Sequence, residues 1–183
     1  MSKIAIIGAT GRAGSQLLEE ALRRGHTVTA IARNTDTLAA RPGLTVKKVD
    51  ALDATALQQA VSGNDVVISA AHFATLPASA VIGPVKKAGV KRLLVVGGAG
   101  SLLLPGGSRV IDSEGFPAEY KAEASAGAEF LDVLRQEKEL DWTFLSPSAE
   151  FVETERTGKF RLGQDDLLVS CLLYTSPSPR DRG

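Results

Sequence analysis

The sequence predicts a doubly wound parallel α/β sheet, and three features carry that expectation. Lys3–Gly14, KIAIIGATGRAG, is a short apolar strand that breaks into glycines spaced three apart. A second strand, Thr27–Ala32, follows after Gly25, and strand and helix then alternate with short connections to the end of the apolar patterning. Four successive apolar residues, Ile4 to Ile7, suit a strand buried on both faces of a parallel sheet. Further strands are expected at Thr45–Val49, Asp65–Ser69, Arg92–Val96 and Trp142–Leu145, the fourth and fifth strands being nearly pure aliphatic. Helices are expected at Gly14–Arg24, Ala54–Val61, Ala78–Ala88 and Pro117–Glu139, ended by breakers such as Gly25, Gly63 and Gly89. Alternation of this kind gives right-handed crossovers and the Rossmann strand order 3-2-1-4-5-6 in a single domain.

The glycine string suits a diphosphate. Gly8 permits the tight turn, Gly11 lets the backbone approach the pyrophosphate, and Gly14 lets the helix pack closely on the strand. Thr10, Arg12 and Ala13 complete the loop, whose free N–H groups and helix dipole face the anion. A bare strand-to-helix turn would also use such glycines, but the second strand supplies the βαβ context that a mononucleotide site requires. Nineteen residues beyond Gly14, where an acid would hold the ribose hydroxyls of NAD, stand Arg33 and Asn34. An arginine fork suits a 2′-phosphate, and Arg12 can reach the same group, so NADP (NADPH) is favoured over NAD.

Length and composition bound the rest. A chain of 183 residues with 44% hydrophobic residues can bury one substantial core and leaves no room for a full second domain. Lysine plus arginine and aspartate plus glutamate number 21 each, without a basic block, so neither nucleic acid nor an anionic membrane is an expected partner. The apolar start is only a strand long, which argues against a secretory signal or membrane span and leaves a cytoplasmic location as the default. One cysteine and two histidines, in no paired spacing, argue against structural zinc, disulfides or a Cys/His nucleophilic site, and no metal is expected.

In such sheets ligands lie at the carboxyl ends of the strands. Asp50 and Ala51 follow the third strand, and Asp50 either accepts from the adenine amino group or caps the next helix. Ala70 and Ala71 follow the fourth, where small side chains let a ribose pass close to the backbone. The loop Gly97–Ser101 follows the fifth and brings the Ser101 hydroxyl toward the expected nicotinamide position. Ser146 and Pro147 follow the sixth as a wall for nicotinamide or substrate. His72, after the fourth strand, is placed to contact substrate but reads first as a partly buried hydrogen-bonding histidine, Trp142 and Phe144 as core, and the carboxylate-rich helix from Ala118 to Glu139 as a solvated face.

GATGRAG, the segment RLLVVGGAGSL, the pair Tyr120 and Lys121 within EYKAEA, DWTFLSP and ERTGKFRLG together resemble the atypical short-chain dehydrogenase/reductases. Within them the chain is similar to the NAD(P)H-binding group that includes NmrA-like proteins and flavin or biliverdin-type reductases. The resemblance covers Met1 to about Val169, and it implies a dinucleotide-binding fold and an oxidoreductase. Ordinary members of the larger superfamily reduce carbonyls with a Tyr and a Lys four apart on one helix face. Here Ala124 stands four after Tyr120, and Lys121, adjacent in sequence, points about a third of a turn away. Where the biliverdin-type reductases carry a histidine after the proline, this chain has Ser148.

The resulting expectation is an NADPH-dependent reductase of a flavin-like or quinone-like acceptor by direct hydride transfer, with Ser101, Tyr120 or water completing protonation. The alternative is an NmrA-like protein that senses NADP(H) and signals without catalysis. A sugar-nucleotide epimerase or dehydratase fits less well, because the Tyr and Lys pair and a substrate domain are missing. The expected partner is a small-molecule acceptor, and the expected state a monomer or weak homodimer.

After Val169 the pattern gives way to SCLLYTSPSPRDRG. Cys171 to Asp181 back-translates, with permitted codons, into the mosaic-end adaptor of transposase-based sequencing libraries. Residues 1–169 therefore read as the NAD(P)-binding domain and residues 170–183 as a non-native tail. Relatives continue with a further strand and helix, so the domain reads as C-terminally truncated, with apolar surface left uncovered around the sixth strand and residues 159–162. Deleting Ser170 to Gly183 should change stability by less than about 0.5 kcal/mol, as for residues without buried contacts. Denaturant unfolding of both forms is the check, and a loss of several kcal/mol would make the tail part of the fold.

Overall fold

The computed structural model describes residues 1–168; Val169 and the tail that reads as non-native lie outside the described residues. Six parallel strands form one sheet: β1 (Lys3–Ile7), β2 (Thr27–Ala32), β3 (Leu44–Lys48), β4 (Val66–Ser69), β5 (Arg92–Val96) and β6 (Asp141–Leu145). Their order is β3-β2-β1-β4-β5-β6, as the alternation predicts. The chain runs outward from β1 in one direction to β3 and in the other to β6, so a crevice opens between β1 and β4 at their carboxyl ends.

The helices are α1 (Arg12–Arg23), α2 (Ala54–Val61), α3 (Ala78–Lys87) and α4 (Ala118–Gln136). Several bounds shift by one residue from the sequence expectation, and two helix bounds differ by more, for local reasons. α1 opens at Arg12 because Gly11 is already its extended N-cap, so Gly14 lies in the first turn and does not start the helix. α4 ends at Gln136 because Glu137 leaves helical geometry, its carboxylate 3.2 Å from Lys86 of α3. The connection from β5 to α4 holds two 3₁₀ turns, Ala99–Ser101 and Val110–Asp112, that no periodicity announces.

Alternation along the strands divides the core into two layers. Ala5, Ile7, Val67, Leu93 and Val95 face α2, α3 and α4, where Leu57, Val81, Val85, Phe130 and Leu134 are buried. Ile4, Ile6, Val28, Ala30 and Ile68 face the other way, onto Leu18 and Ala21 of α1. Burying one such side chain contributes about 1.5 to 3 kcal/mol, so the sheet is held from both sides. Trp142 and Phe144 pack against the first layer, as expected. Leu145 at the end of β6 stands exposed, as do Phe160 and Leu162 later in the chain, the places where the sequence anticipates uncovered apolar surface.

The turn from β1 into α1 is the tightest place in the fold. Gly8 has φ of 77°, in the left-handed region, and a β-carbon there would lie 3.0 Å from the backbone of Ala70 and Ala71. A β-carbon on Gly14 would lie 2.0 Å from the carbonyl oxygen of Gly8, a distance no structure tolerates. On Gly11 it would meet only that oxygen, at 3.4 Å. Gly14→Ala should therefore lower stability by about 2 kcal/mol or more, outweighing the ~1 kcal/mol that Ala adds to a helix. Gly11→Ala should stay within about 0.5 kcal/mol, and chemical unfolding of the two variants side by side is the check.

Candidate functional site

The crevice at the carboxyl ends of the strands is a cleft of about 760 Å³, within the range that small-ligand and cofactor sites occupy. Its floor is the glycine loop. Gly8, Thr10, Gly11, Arg12 and Ala13 all line it, while Gly14 is buried beneath, where the helix meets the turn. Gly11 caps α1 without a side-chain hydrogen bond, and no acidic residue occupies the first turn. The N–H groups of Arg12 and Ala13 carry no hydrogen bond among the described residues. Such a helix start presents unsatisfied donors and the positive end of its dipole to the cleft.

Arg33 and Asn34 line one end, just after β2, with Asp50, Ala51 and Leu52 after β3 beside them. Asn34 is used locally, its side-chain oxygen accepting from the Asp36 N–H at 2.9 Å. Asp50 likewise accepts from the Leu52 N–H at 3.0 Å, and Asp53 is the residue that caps α2, accepting from Ala56 N–H at 3.1 Å. Of the two uses open to Asp50, capping is thus taken by its neighbour.

Arg12 and Arg33 differ from the other arginines. Arg23, Arg24 and Arg156 share Glu20, Arg41 pairs with Glu19, Arg92 with Asp141, Arg109 with Asp112, and Arg135 with Asp132 and Asp165. Arg161 has contacts of its own. Among the described residues, only the two arginines that line the cleft have neither an ion pair nor a hydrogen bond through the side chain. The contrast is sharpest at Glu20, whose carboxyl is held well below the usual carboxylate range by hydrogen bonds from Arg23, Arg156 and Arg24.

The other end is formed after β4 and β5 by Ala70, Ala71, His72, Phe73, Val96 and Gly97, with Glu123 reaching in from α4. Sequence patterning puts Glu123 on a solvated helix face, and the structure corrects this. One of its oxygens accepts from the Phe73 N–H at 2.6 Å and the other from the Ala74 N–H at 2.9 Å, closing the β4–α3 loop. His72, expected to be partly buried, has a side chain 86% exposed at the mouth of the cleft, with Nδ1 3.6 Å from Glu123. Its ring is outside because the next residue is inside: Phe73 packs edge-on to Phe130 and stacks on Phe144, with centroids 5.2 and 5.8 Å away.

Four sequence candidates stand apart from this cleft. Ser101 ends a 3₁₀ turn that folds onto α4, where a β-carbon on Gly100 would lie 3.1 Å from that of Ala124. Tyr120 is 60% exposed on the first turn of α4. Neither lines the cleft. Ser146 and Pro147 line a separate hollow of about 90 Å³ with Leu102, Phe144 and Leu162, because the chain turns inward after β6. Ser148 is buried there, its hydroxyl donating to the Glu150 carbonyl at 2.6 Å. The residue this segment does bring to the cleft is Phe151, for which the sequence holds no signal. Beyond it Glu153 accepts from Gln16 and Arg156 reaches Glu20, so the strap lies across α1.

Among the described residues no helix is long and apolar enough to cross a membrane, and no cluster of His, Cys, Asp and Glu is suited to a metal ion. Comparison with known proteins agrees with the geometry. A family model described as NAD(P)H-binding matches residues 8–170. The uncharacterised protein YwnB of Bacillus subtilis is 39% identical over 178 residues, spanning 92% of this chain and 82% of YwnB. The crystal structure of a proposed epimerase from Bacteroides thetaiotaomicron is 42% identical and superposes with a TM-score of 0.86 over 91% of this chain and 80% of its own. That of a proposed NADH-flavin reductase from Streptococcus pneumoniae is 36% identical, with a TM-score of 0.79 over 93% and 84% of the two chains. The glycine turn, the strand order and these matches together show that the chain belongs to the NAD(P)H-binding family of atypical short-chain dehydrogenase/reductases.

Proposed function

We propose that this chain is a reductase that binds NADPH in the cleft and passes its hydride to a flavin-like or quinone-like acceptor. The observation that carries the choice of NADPH is the pair Arg12 and Arg33, cleft arginines with no partner among the described residues, whose other arginines are engaged. Two uncompensated guanidiniums, Arg33 just after β2 and Arg12 at the head of α1, fit a phosphate on the adenosine ribose, which an acidic residue in their place would repel. The backbone supports the same ligand: Gly11 leaves open the space a diphosphate needs, and the N–H groups of Arg12 and Ala13 are available to it. In this reading Asp50 and Ala51 border the adenine, while Ala70 and Ala71 leave room for a ribose.

The nicotinamide, when bound, supplies a hydride, and the protein's task is to hold the acceptor against it and keep water out. In this reading Phe151 and Gly97, which line the cleft, take over the wall expected of Ser146 and Pro147. The acceptor class is supported by the Streptococcus pneumoniae relative, described as acting with NADH and a flavin, which speaks for the acceptor and not for the phosphate. The same reading takes the protein to be cytoplasmic and a monomer or weak homodimer, acting on a small molecule with no nucleic-acid or membrane partner. The NmrA-like reading, an NADP(H) sensor without catalysis, draws on Ser101 and Tyr120 lying outside the cleft.

NADPH should bind about ten- to a hundredfold more tightly than NADH, the equivalent of one charge-assisted contact of about 1.5 to 3 kcal/mol. Arg33→Ala should remove most of that preference, and equal affinities in the wild type would overturn it. Gly11→Val should stay folded and lose cofactor binding, since its branches fill the open space above the Gly8 carbonyl. Steady-state oxidation of NADPH with free flavin or menadione tests the chemistry. Tight binding without turnover would move the conclusion to the sensor.

A further inference from the structure

The geometry points to His72 as the proton donor of this site, a role that rests on the reductase reading above. The cleft has a direction. Arg33 and Asp50 lie at the end formed by β2 and β3, the glycine loop lies in the middle, and the residues after β4 and β5 form the far end. A dinucleotide with its ribose phosphate at Arg33 and its diphosphate on the glycine loop must carry its reactive ring to that far end. The titratable side chains lining the far end are His72 and Glu123.

Their arrangement is more than adjacency. The carboxylate of Glu123 accepts from the N–H groups of Phe73 and Ala74 and stands 3.6 Å from Nδ1 of His72. The His72 carbonyl accepts from the N–H of Leu76 at 3.0 Å and from the hydroxyl of Thr75 at 3.1 Å, and Phe73 is locked between Phe130 and Phe144. The backbone of His72 is therefore fixed on both sides while its ring, 86% exposed, stays free to meet both cleft and water. Imidazole is the side chain best suited to give and regain a proton near neutral pH. The balance closes: a quinone-like acceptor gains two electrons and one hydrogen as hydride from the reduced nicotinamide, and its anionic oxygen takes the N–H proton of the imidazolium. Water then returns a proton to the ring. Glu123 is a positioning residue, holding the loop that presents the histidine.

The chain's other histidine is a built-in control. His26 lies at the opposite, amino-terminal edge of the sheet, with Nδ1 accepting from the Ser2 N–H at 2.9 Å. The experiment is a titration of the full chain with NADP⁺ and, separately, with adenosine 2′,5′-bisphosphate, following the Gly11 amide and both imidazole rings by NMR. Both ligands should move Gly11, only NADP⁺ should move the His72 ring, and neither should move His26. If NADP⁺ moves Gly11 and leaves His72 still, the proton-donor role fails and the cofactor reading stands. The role fails likewise if the bisphosphate moves His72 as much as NADP⁺ does. If Gly11 itself does not respond, the cofactor reading falls and the proton-donor role with it. In menadione reduction, His72→Gln should cost about a hundredfold in kcat while leaving NADP⁺ affinity unchanged. Glu123→Ala should expose the Phe73 and Ala74 amides to hydrogen exchange. An unaltered kcat in His72→Gln, or a wild type inert toward menadione, overturns the assignment.

Discussion

The close approach of α1 to the end of β1 governs both the fold and the cleft. Gly14 packs its α-carbon against the Gly8 carbonyl with no room for a methyl group, and Gly8 in turn rests against the backbone of Ala70 and Ala71. Three elements, β1, α1 and β4, are thereby drawn to one point at the place where the strand order reverses. The consequence for stability is that Leu18 and Ala21 can reach Ile4, Ile6 and Val28, closing one layer of the core. The consequence for function is that the helix start is aimed into the crevice, with Gly11 above the contact and open to a ligand. One backbone contact thus closes the packing below and leaves the helix start open to the cleft above.

Charge is distributed with the same division. Away from the cleft, cations are neutralised in small clusters: Glu20 among Arg23, Arg24 and Arg156, and Lys86 between Glu137 and Glu139. The Glu20 carboxyl is held low and the Lys86 ammonium is held high, chiefly by these hydrogen bonds. Such exposed pairs add little stability each, but they settle where long side chains lie. The Glu20 cluster ties the strap after Phe151 onto α1, so a surface ion pair orders part of the cleft wall. Its contribution is full at neutral pH and fades as acid protonates Glu20, because a depressed carboxyl is worth most while ionised. Arg12 and Arg33 lie outside any such cluster, so their charge stays uncompensated at the cleft among the described residues.

What is legible in the sequence is local. The strand bounds, the glycine turn and Arg33 at the end of β2 depend on residues within about one βαβ unit, and apolar runs and glycine spacing report such units directly. What is illegible depends on contacts across the chain. Glu123 closes a loop some fifty residues earlier in sequence, and nothing in EYKAEA marks that carboxylate apart from Glu119 beside it. Ser101 is expected in the cleft because it follows β5, but the 3₁₀ turn that carries it toward α4 leaves no periodic trace. The exposure of His72 escapes a sequence reading for the same reason: it is settled by Phe73 finding Phe130 and Phe144. The segment after β6 shows the limit most clearly, since position alone suggests Ser146 and Pro147 where the folded chain supplies Phe151.

The two ends of the cleft are built from different materials, and the difference bears on how such a site works. The β2–β3 end carries the exposed Arg33, with Arg12 near it at the head of α1, long cations suited to attracting and selecting a charged group. The far end has a loop tied down by Glu123, by the His72 carbonyl and by an aromatic stack, where movement is restricted. On the proposed reading, binding energy gathered at the remote phosphates would hold the reactive ring against a rigid wall, which lowers the barrier only if that wall does not yield. Rigidity at this end comes from residues on the β4–α3 loop, α4 and β6 at once. On that reading the loop after β4, held by Glu123, takes over the positioning that a Tyr and Lys pair would give.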